Sequence, residues 1–334
     1  MAAAAPDELR ITASFQEMPV VGVGVSPPVA VAACMVMALG YVLVLYVPTA
    51  VLRLSPPASL ESFLIRRFIC ALVFSAISAL ASAALLGVGR DMDISVMLSF
   101  FGIRKDHMWQ AVVFPLLLAS LLYAGSLASK LLLVVYARRE REGNSWRKPG
   151  LCKIFSVVVR SLLENALASA HNVVAWRNYV VAPFTEELVF RACMIPLLLC
   201  SGFRIQTIIF IGPVSFSLAH LNHFMELYYP KRRNFLKACS IVGIQLGYTV
   251  VFGWYASFLF LRTGNLISAV VAHIVCNVMG LPIVLSPRTR GIANTVFIIG
   301  LACFLMLLFP ASSPTLYNDS IENCSCWQGY CSWR

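Results

Sequence analysis

The chain has 334 residues, 59% of them hydrophobic and only 12% charged, with a mean hydropathy of +0.80 and a formal net charge of +11. That is far more apolar surface than a soluble globule can hide, so the composition belongs to a polytopic membrane protein. The positive balance does not imply a nucleic-acid partner, because the lysines and arginines are scattered through short segments between apolar windows and form no single basic face or tail.

Residues 1–28 carry acids, prolines and glycines but no basic start followed by an apolar core and a cleavage site, so no removable signal peptide is expected and the first span serves as the targeting signal. A helix needs roughly 20 apolar residues to cross the bilayer core. Windows of that kind run from Val29 to Leu52, Phe68 to Val88, Gln110 to Tyr136, Val180 to Cys200, Ile205 to Leu221, Ala238 to Leu261, Leu266 to Leu285 and Ile292 to Pro310. They predict an all-α polytopic membrane protein of about eight transmembrane helices around a polar cavity, since unpaired backbone groups are too costly in hydrocarbon for open strands. The small-residue run AISALASAALLG, Ala76 to Gly87, favours close helix packing.

Between the third and fourth windows lies the stretch ARREREGNSWRKPG. Its basic group (Arg138, Arg139, Arg141, Arg147, Lys148, with Lys153 beyond) is expected in the cytosol, on the same side as Arg53, Arg66 and Arg67, which leaves Arg90, Arg104 and Lys105 on the lumenal side. The expected organisation is a tail at 1–28, N-terminal transmembrane helices at 29–137, a basic cytosolic linker at 138–153, a catalytic transmembrane core at 154–310 and a Cys-rich tail at 311–334. Glu164 makes the segment 154–169 a weak span, and its topology stays open. Cysteines inside the apolar windows read as small hydrophobes. Cys324, Cys326 and Cys331 in the tail fit no zinc spacing well and receive no role.

Ionisable groups inside a span cost about 2.5–3.5 kcal/mol at mid-bilayer on insertion scales, which makes each a functional candidate. Three clusters qualify. In APFTEELVFRACM, Glu187 and Arg191 stand four apart on one helical face while Glu186 points about 100° away. Arg191 therefore neutralises Glu187 and leaves Glu186 to handle a proton; Pro183 and Thr185 suit a helix start, where the dipole favours anions. In FSLAHLNHF, His220 and His223 fall on roughly one side of a helix, and in HIVCN, His273 and Asn277 share one face.

Together these are the parts of a hydrolytic site: Glu186 and His220 activate a water, and His273 with Asn277 donates to the oxyanion of an attacked peptide carbonyl. Each cluster taken singly also has a structural reading, as an ion pair, an interfacial histidine or interhelical glue. A zinc protease is a rival, although HExxH is absent and His220 and His223 lie three apart. A cysteine protease would need a thiol beside a base, for which Cys193 and Cys276 are near the clusters. No aspartate falls in an apolar window, which excludes an aspartyl intramembrane protease.

EELVFR fits EExxxR, FSLAH fits FxxxH and HIVCN fits HxxxN, in that order, and with the linking stretch from Gln245 to Pro282 they resemble the type II CAAX prenyl endopeptidases of the wider CPBP group, in their eukaryotic branch, from about Asn178 to Pro282. The resemblance implies eight transmembrane helices and a metal-independent, cofactor-free endopeptidase of the endoplasmic reticulum membrane, with its site open to the cytosol. It implies removal of the last three residues of prenylated CaaX proteins such as Ras-like small GTPases. By motif, Glu186 and His220 activate water, His273 and Asn277 form the oxyanion hole, and Glu187, Arg191 and His223 support them. Where eukaryotic members tend to have two adjacent histidines after FxxxH, this chain has Asn222 then His223, which touches the supporting role of that position. The oligomeric state is unspecified. The alternatives are a non-enzymatic membrane scaffold of the CPBP type, a zinc-dependent membrane protease and a transporter, the last without the expected broken-helix repeat.

Overall fold

The structure is a computed structural model and describes residues 25–87, 98–141, 160, 164, 167–221, 235–282, 287 and 289–317. His223, Glu226 and the Cys-rich tail beyond residue 317 lie outside the described residues, as do residues 1–24, 142–159 and 222–234. The described residues are helical throughout, with short turns between the helices.

In chain order the principal helices are α1 (Pro27–Leu43, extended by a tighter turn to Ala50), α2 (Leu60–Leu85), α3 (Met108–Leu122) and α4 (Ala124–Arg141). Next comes α5, unbroken over residues 173–200, then α6 (Ile205–Ala219), α7 (Phe235–Thr263), α8 (Leu266–Met279) and α9 (Arg290–Ala311). Among the described residues four helices are long and apolar enough to cross a membrane, and a fifth span is added if the bent pair α3–α4 is taken as one. Their apolar residues face outward: the most apolar stretch of α9 is only 17% buried, and Ile298, Ile299, Leu305 and Met306 are exposed along it. Soluble monomers rarely display such a surface. Lipid tails, as apolar as these side chains, are the solvent that accepts it.

The window from Gln110 to Tyr136 is not one straight helix. The chain bends by 74° between α3 and α4. Tyr123 at the bend donates its hydroxyl to the carbonyl of Gly280, at 2.7 Å, and lies 2.5 Å from the hydroxyl of Tyr248, so the corner is tied to the end of α8 and to α7. Arg104, expected at the lumenal side, is buried and ion-paired with Asp106 two residues on, so its charge is neutralised locally and does not act as a bare topology signal.

Helix α5 forms the centre of the bundle. Asn172 caps its start, accepting from the N–H groups of Val174 and Ala175, so the helix begins nine residues before Ala182 and Pro183 is an interior residue. The helix start expected near Pro183 and Thr185 is therefore not there, and the dipole of a helix N-terminus does not act on the two glutamates. Two π segments, Arg177–Val181 and Leu188–Cys193, widen the helix on either side of them. Beyond Glu187 the helix is buried on every side, with Val189, Ala192, Cys193 and Leu197 wholly enclosed. An all-round apolar helix requires that placement.

Small residues allow the neighbours to approach α5. Ser75, Ser78 and Ser82 of α2 are buried, and Ser82 donates to the carbonyl of Cys193 at 3.1 Å, as the small-residue run leads one to expect. On α7, a Cβ added at Gly253 would come within 2.5 Å of Pro213 in α6 and 3.4 Å of the Arg191 guanidinium. Glycine is what lets α6 and α7 cross beside that arginine. Asn265 caps α8 by accepting from Ile267, and Gly280, at φ +70°, ends it.

Candidate active site

Glu186 and Glu187 sit between the two π segments of α5, and their side chains diverge as helical geometry demands. Glu187 is wholly buried and Arg191, four residues on, is 1% exposed; Nη1 of Arg191 donates to Oε1 of Glu187 at 3.1 Å. An isolated charge at such a position would be very costly. Arg191 is held further by two aromatic faces, its guanidinium carbon lying 4.4 Å from the ring centre of Phe216 and 5.7 Å from that of Phe252. Pairing of Glu187 with Arg191 was legible from their spacing.

The third partner was not. His273 on α8 brings Nδ1 to 2.7 Å from the same Oε1 of Glu187, 86 residues away in the chain, and its Nε2 lies 3.8 Å from Oε2 of Glu186. The imidazole therefore stands between the two carboxylates. With the Nδ1 proton donated to Glu187, Nε2 is the atom turned toward Glu186, and it becomes a donor when the ring carries both protons. Phe252 and Phe216 wall the ring, at 4.8 and 6.2 Å between centroids. The chain Arg191–Glu187–His273 thus fixes both the position and the orientation of a catalytic-type imidazole in a dry surrounding.

Glu186 is different. Its side chain is 17% exposed and opens into a cavity of about 110 Å³ lined also by Tyr41, Thr185, Phe216 and His220. A single water needs about 10–15 Å³ by this measure, so the space holds several. His220 caps the end of α6. Its Nδ1 lies 2.9 Å from the carbonyl of Phe216, which only accepts, so Nδ1 is the donor and the lone pair of the neutral ring resides on Nε2. Phe216, four residues before it, stacks edge-on at 4.9 Å between centroids, which gives the Phe of the FxxxH pattern its physical role: it orients His220, walls His273 and covers Arg191.

Tyr41 of α1 closes one wall. The hydroxyl of Thr185 donates to the carbonyl of Val181 at 2.7 Å, so the 2.7 Å bond between Tyr41 and Thr185 is donated by the tyrosine. Thr185 was read from the sequence only as a helix-start residue, and Tyr41 did not stand out, since a tyrosine in an apolar run carries no mark of its partner 144 residues away.

Asn277 is exposed, and its amide nitrogen donates at 2.8 Å to the carbonyl of Asn178 in the first π segment of α5. The local sequence explains that opening. Within the π turn the N–H of Ala182 goes to Arg177, and the next residue, Pro183, has no N–H to offer the carbonyl of Asn178. Glu186 and His220 thus share one cavity, His273 touches both acids of α5, and Asn277 ties the same face of α8 to α5 one turn further on. His223 lies outside the described residues. Cys193 is wholly buried and Cys276 nearly so, so neither thiol is presented to the cavity. Among the described residues no group of three or more His, Cys, Asp or Glu side chains gathers as metal ligands would.

Comparison with known proteins bears on the same region. A family model described as "Type II CAAX prenyl endopeptidase Rce1-like" matches residues 168–279, which contain Glu186, Glu187, Arg191, His220, His273 and Asn277. The chain is 51% identical over 316 residues to CAAX prenyl protease 2 of Arabidopsis thaliana, covering 94% of this chain and 99% of that protein. It is 33% identical over 304 residues to CAAX prenyl protease 2 of Homo sapiens, covering 89% and 85%. No solved structure matches the chain.

Proposed function

Because the chain belongs to the Rce1-like CAAX prenyl protease 2 family, in its eukaryotic branch, we propose that it is the endopeptidase that removes the C-terminal tripeptide from prenylated CaaX proteins. The observation that carries this reading is the cavity: a partly exposed carboxylate, Glu186, and an imidazole, His220, line one space large enough for several waters, with a second imidazole 3.8 Å from the carboxylate.

The chemistry follows from these groups. A water in the cavity is held by Nε2 of His220 and gives its proton to Glu186 as its oxygen attacks the carbonyl carbon between cysteine and the first aliphatic residue. His273, oriented by Glu187, and Asn277 donate to the oxygen that becomes negative. When the C–N bond breaks, the proton held by Glu186 passes to the leaving nitrogen. The products are a carboxylic acid on the prenylated cysteine, which loses its remaining proton to solvent to become a carboxylate, and a free tripeptide amine, with no covalent intermediate. Glu187 and Arg191 position His273, and a supporting role for His223 rests on the motif alone.

The membrane setting suits such a substrate. Val42, Leu45, Leu64 and Phe68 form an apolar wall of the cavity, and a farnesyl or geranylgeranyl chain partitions into lipid, which fixes the depth at which the scissile bond meets the acid. The finer reading includes about eight transmembrane helices, a catalytic core at 154–310 entered from the cytosol, residence in the endoplasmic reticulum membrane, and Ras-like small GTPases among the substrates. The whole is tested by incubating the purified protein in detergent with a farnesylated CaaX peptide. Tripeptide release is expected, and it persists undiminished in excess EDTA. Activity abolished by the chelator and restored by zinc would favour a metalloprotease; no release at all would favour a membrane scaffold.

A further inference from the structure

The cavity carries charges that water activation does not use. Arg67 of α2 and Arg177 of α5 both line it together with Glu186. Arg177 stands in this wall without a carboxylate of its own among the described residues, and in a low-dielectric surrounding such a guanidinium attracts an anion strongly. Arg67 is anchored over the rings of Phe63 and Tyr46, at 4.5 and 5.7 Å. Arg177 makes no ion pair with any described residue.

The position of Arg177 is set by the first π segment. Nine residues separate it from Glu186, about two and a half turns of a regular α-helix, which would put the two side chains on opposite faces. The wider turn over Arg177–Val181 rotates the arginine back, and both residues line the same cavity. Along the axis nine positions span about 13 Å at 1.5 Å each, and both side chains lean the same way, toward the N-terminus, so the lean does not close that axial separation. Three extended residues cover about 10 Å.

We propose that Arg177 binds the free α-carboxylate at the end of the substrate, so that the distance from Arg177 to Glu186 measures the three residues to be removed. This rests on the peptidase reading above. A guanidinium matches a carboxylate in two parallel hydrogen bonds and keeps its charge when buried, which suits it to recognise a chain end where an internal peptide bond offers no negative charge. Arg67 adds to the positive field from the facing wall. Endopeptidase cleavage at a fixed distance from a C terminus then needs no recognition of the internal sequence.

The test compares a farnesylated CaaX peptide bearing a free C-terminal carboxylate with the same peptide as its C-terminal amide. The native protein is expected to cleave the acid about 10–100-fold more efficiently in kcat/KM, the range for a charge-assisted bond. Arg177→Gln should raise KM for the acid by a similar factor, leave kcat nearly unchanged and remove the preference over the amide; Arg177→Lys should keep part of it. Equal cleavage of acid and amide by the native protein overturns the assignment of Arg177 and leaves the peptidase reading standing. So does a loss in Arg177→Gln that is the same for both peptides. Failure of the native protein to cleave either peptide overturns both.

Discussion

Glu186→Ala is expected to lower tripeptide release by about 10²–10⁴-fold in kcat, the usual worth of a general base, with little change in KM. The carboxylate faces the cavity and makes no close ion pair with Arg191, so its removal leaves the buried pair beneath it intact. The variant should elute and melt like the native protein, which separates lost chemistry from lost fold. His220→Ala should cost a comparable factor, because the imidazole and the carboxylate hold the same water. Their effects should then not multiply: the double variant should be about as slow as the slower single one, as happens when groups act as a unit. A Glu186→Ala protein that still releases tripeptide at the native rate, or a double variant whose losses multiply, would defeat the shared-water mechanism.

What the sequence revealed of this site depended on chain separation. Glu187 and Arg191 are four apart, and helical periodicity alone puts them on one face, where they are found 3.1 Å from each other. The separation of Glu186 from that pair followed from the same 100° step. The bond from His273 to Glu187 crosses 86 residues, and no local pattern encodes it. It changes the reading of Glu187, from a residue merely neutralised by arginine to one that also orients an imidazole. The π segments were equally hidden, since a helix of wider turns is built from the same apolar residues as a regular one. Hydropathy also merged α3 and α4 into one window. The apolar run continues through Tyr123, and the 74° bend there depends on Tyr248 and Gly280, which are remote in the chain. Asn277 was placed on the face of His273 as expected, but its tie to Asn178 needed the carbonyl that Pro183 leaves open.

Arg191→Met should be the most damaging single change to stability. Glu187 is 0% and Arg191 1% exposed, so removal of the guanidinium strands a carboxylate in the core. Breaking a buried pair from one side costs about 3–5 kcal/mol, because the remaining charge has lost its compensation. The Phe216 and Phe252 faces that cover the guanidinium offer an anion nothing in exchange. The thermal midpoint in detergent should fall accordingly. The double variant Glu187→Gln with Arg191→Met removes both charges and should recover most of that midpoint, since a neutral pair of similar size carries no such penalty. Activity should not return with it. The amide oxygen introduced by Glu187→Gln can still accept the Nδ1 proton of His273, but a neutral acceptor makes a weaker bond than a carboxylate and holds the ring less firmly toward the oxyanion. A double variant as unstable as Arg191→Met would show that the cost lies in lost packing, and one with native turnover would show that the Glu187 charge has no part in the reaction.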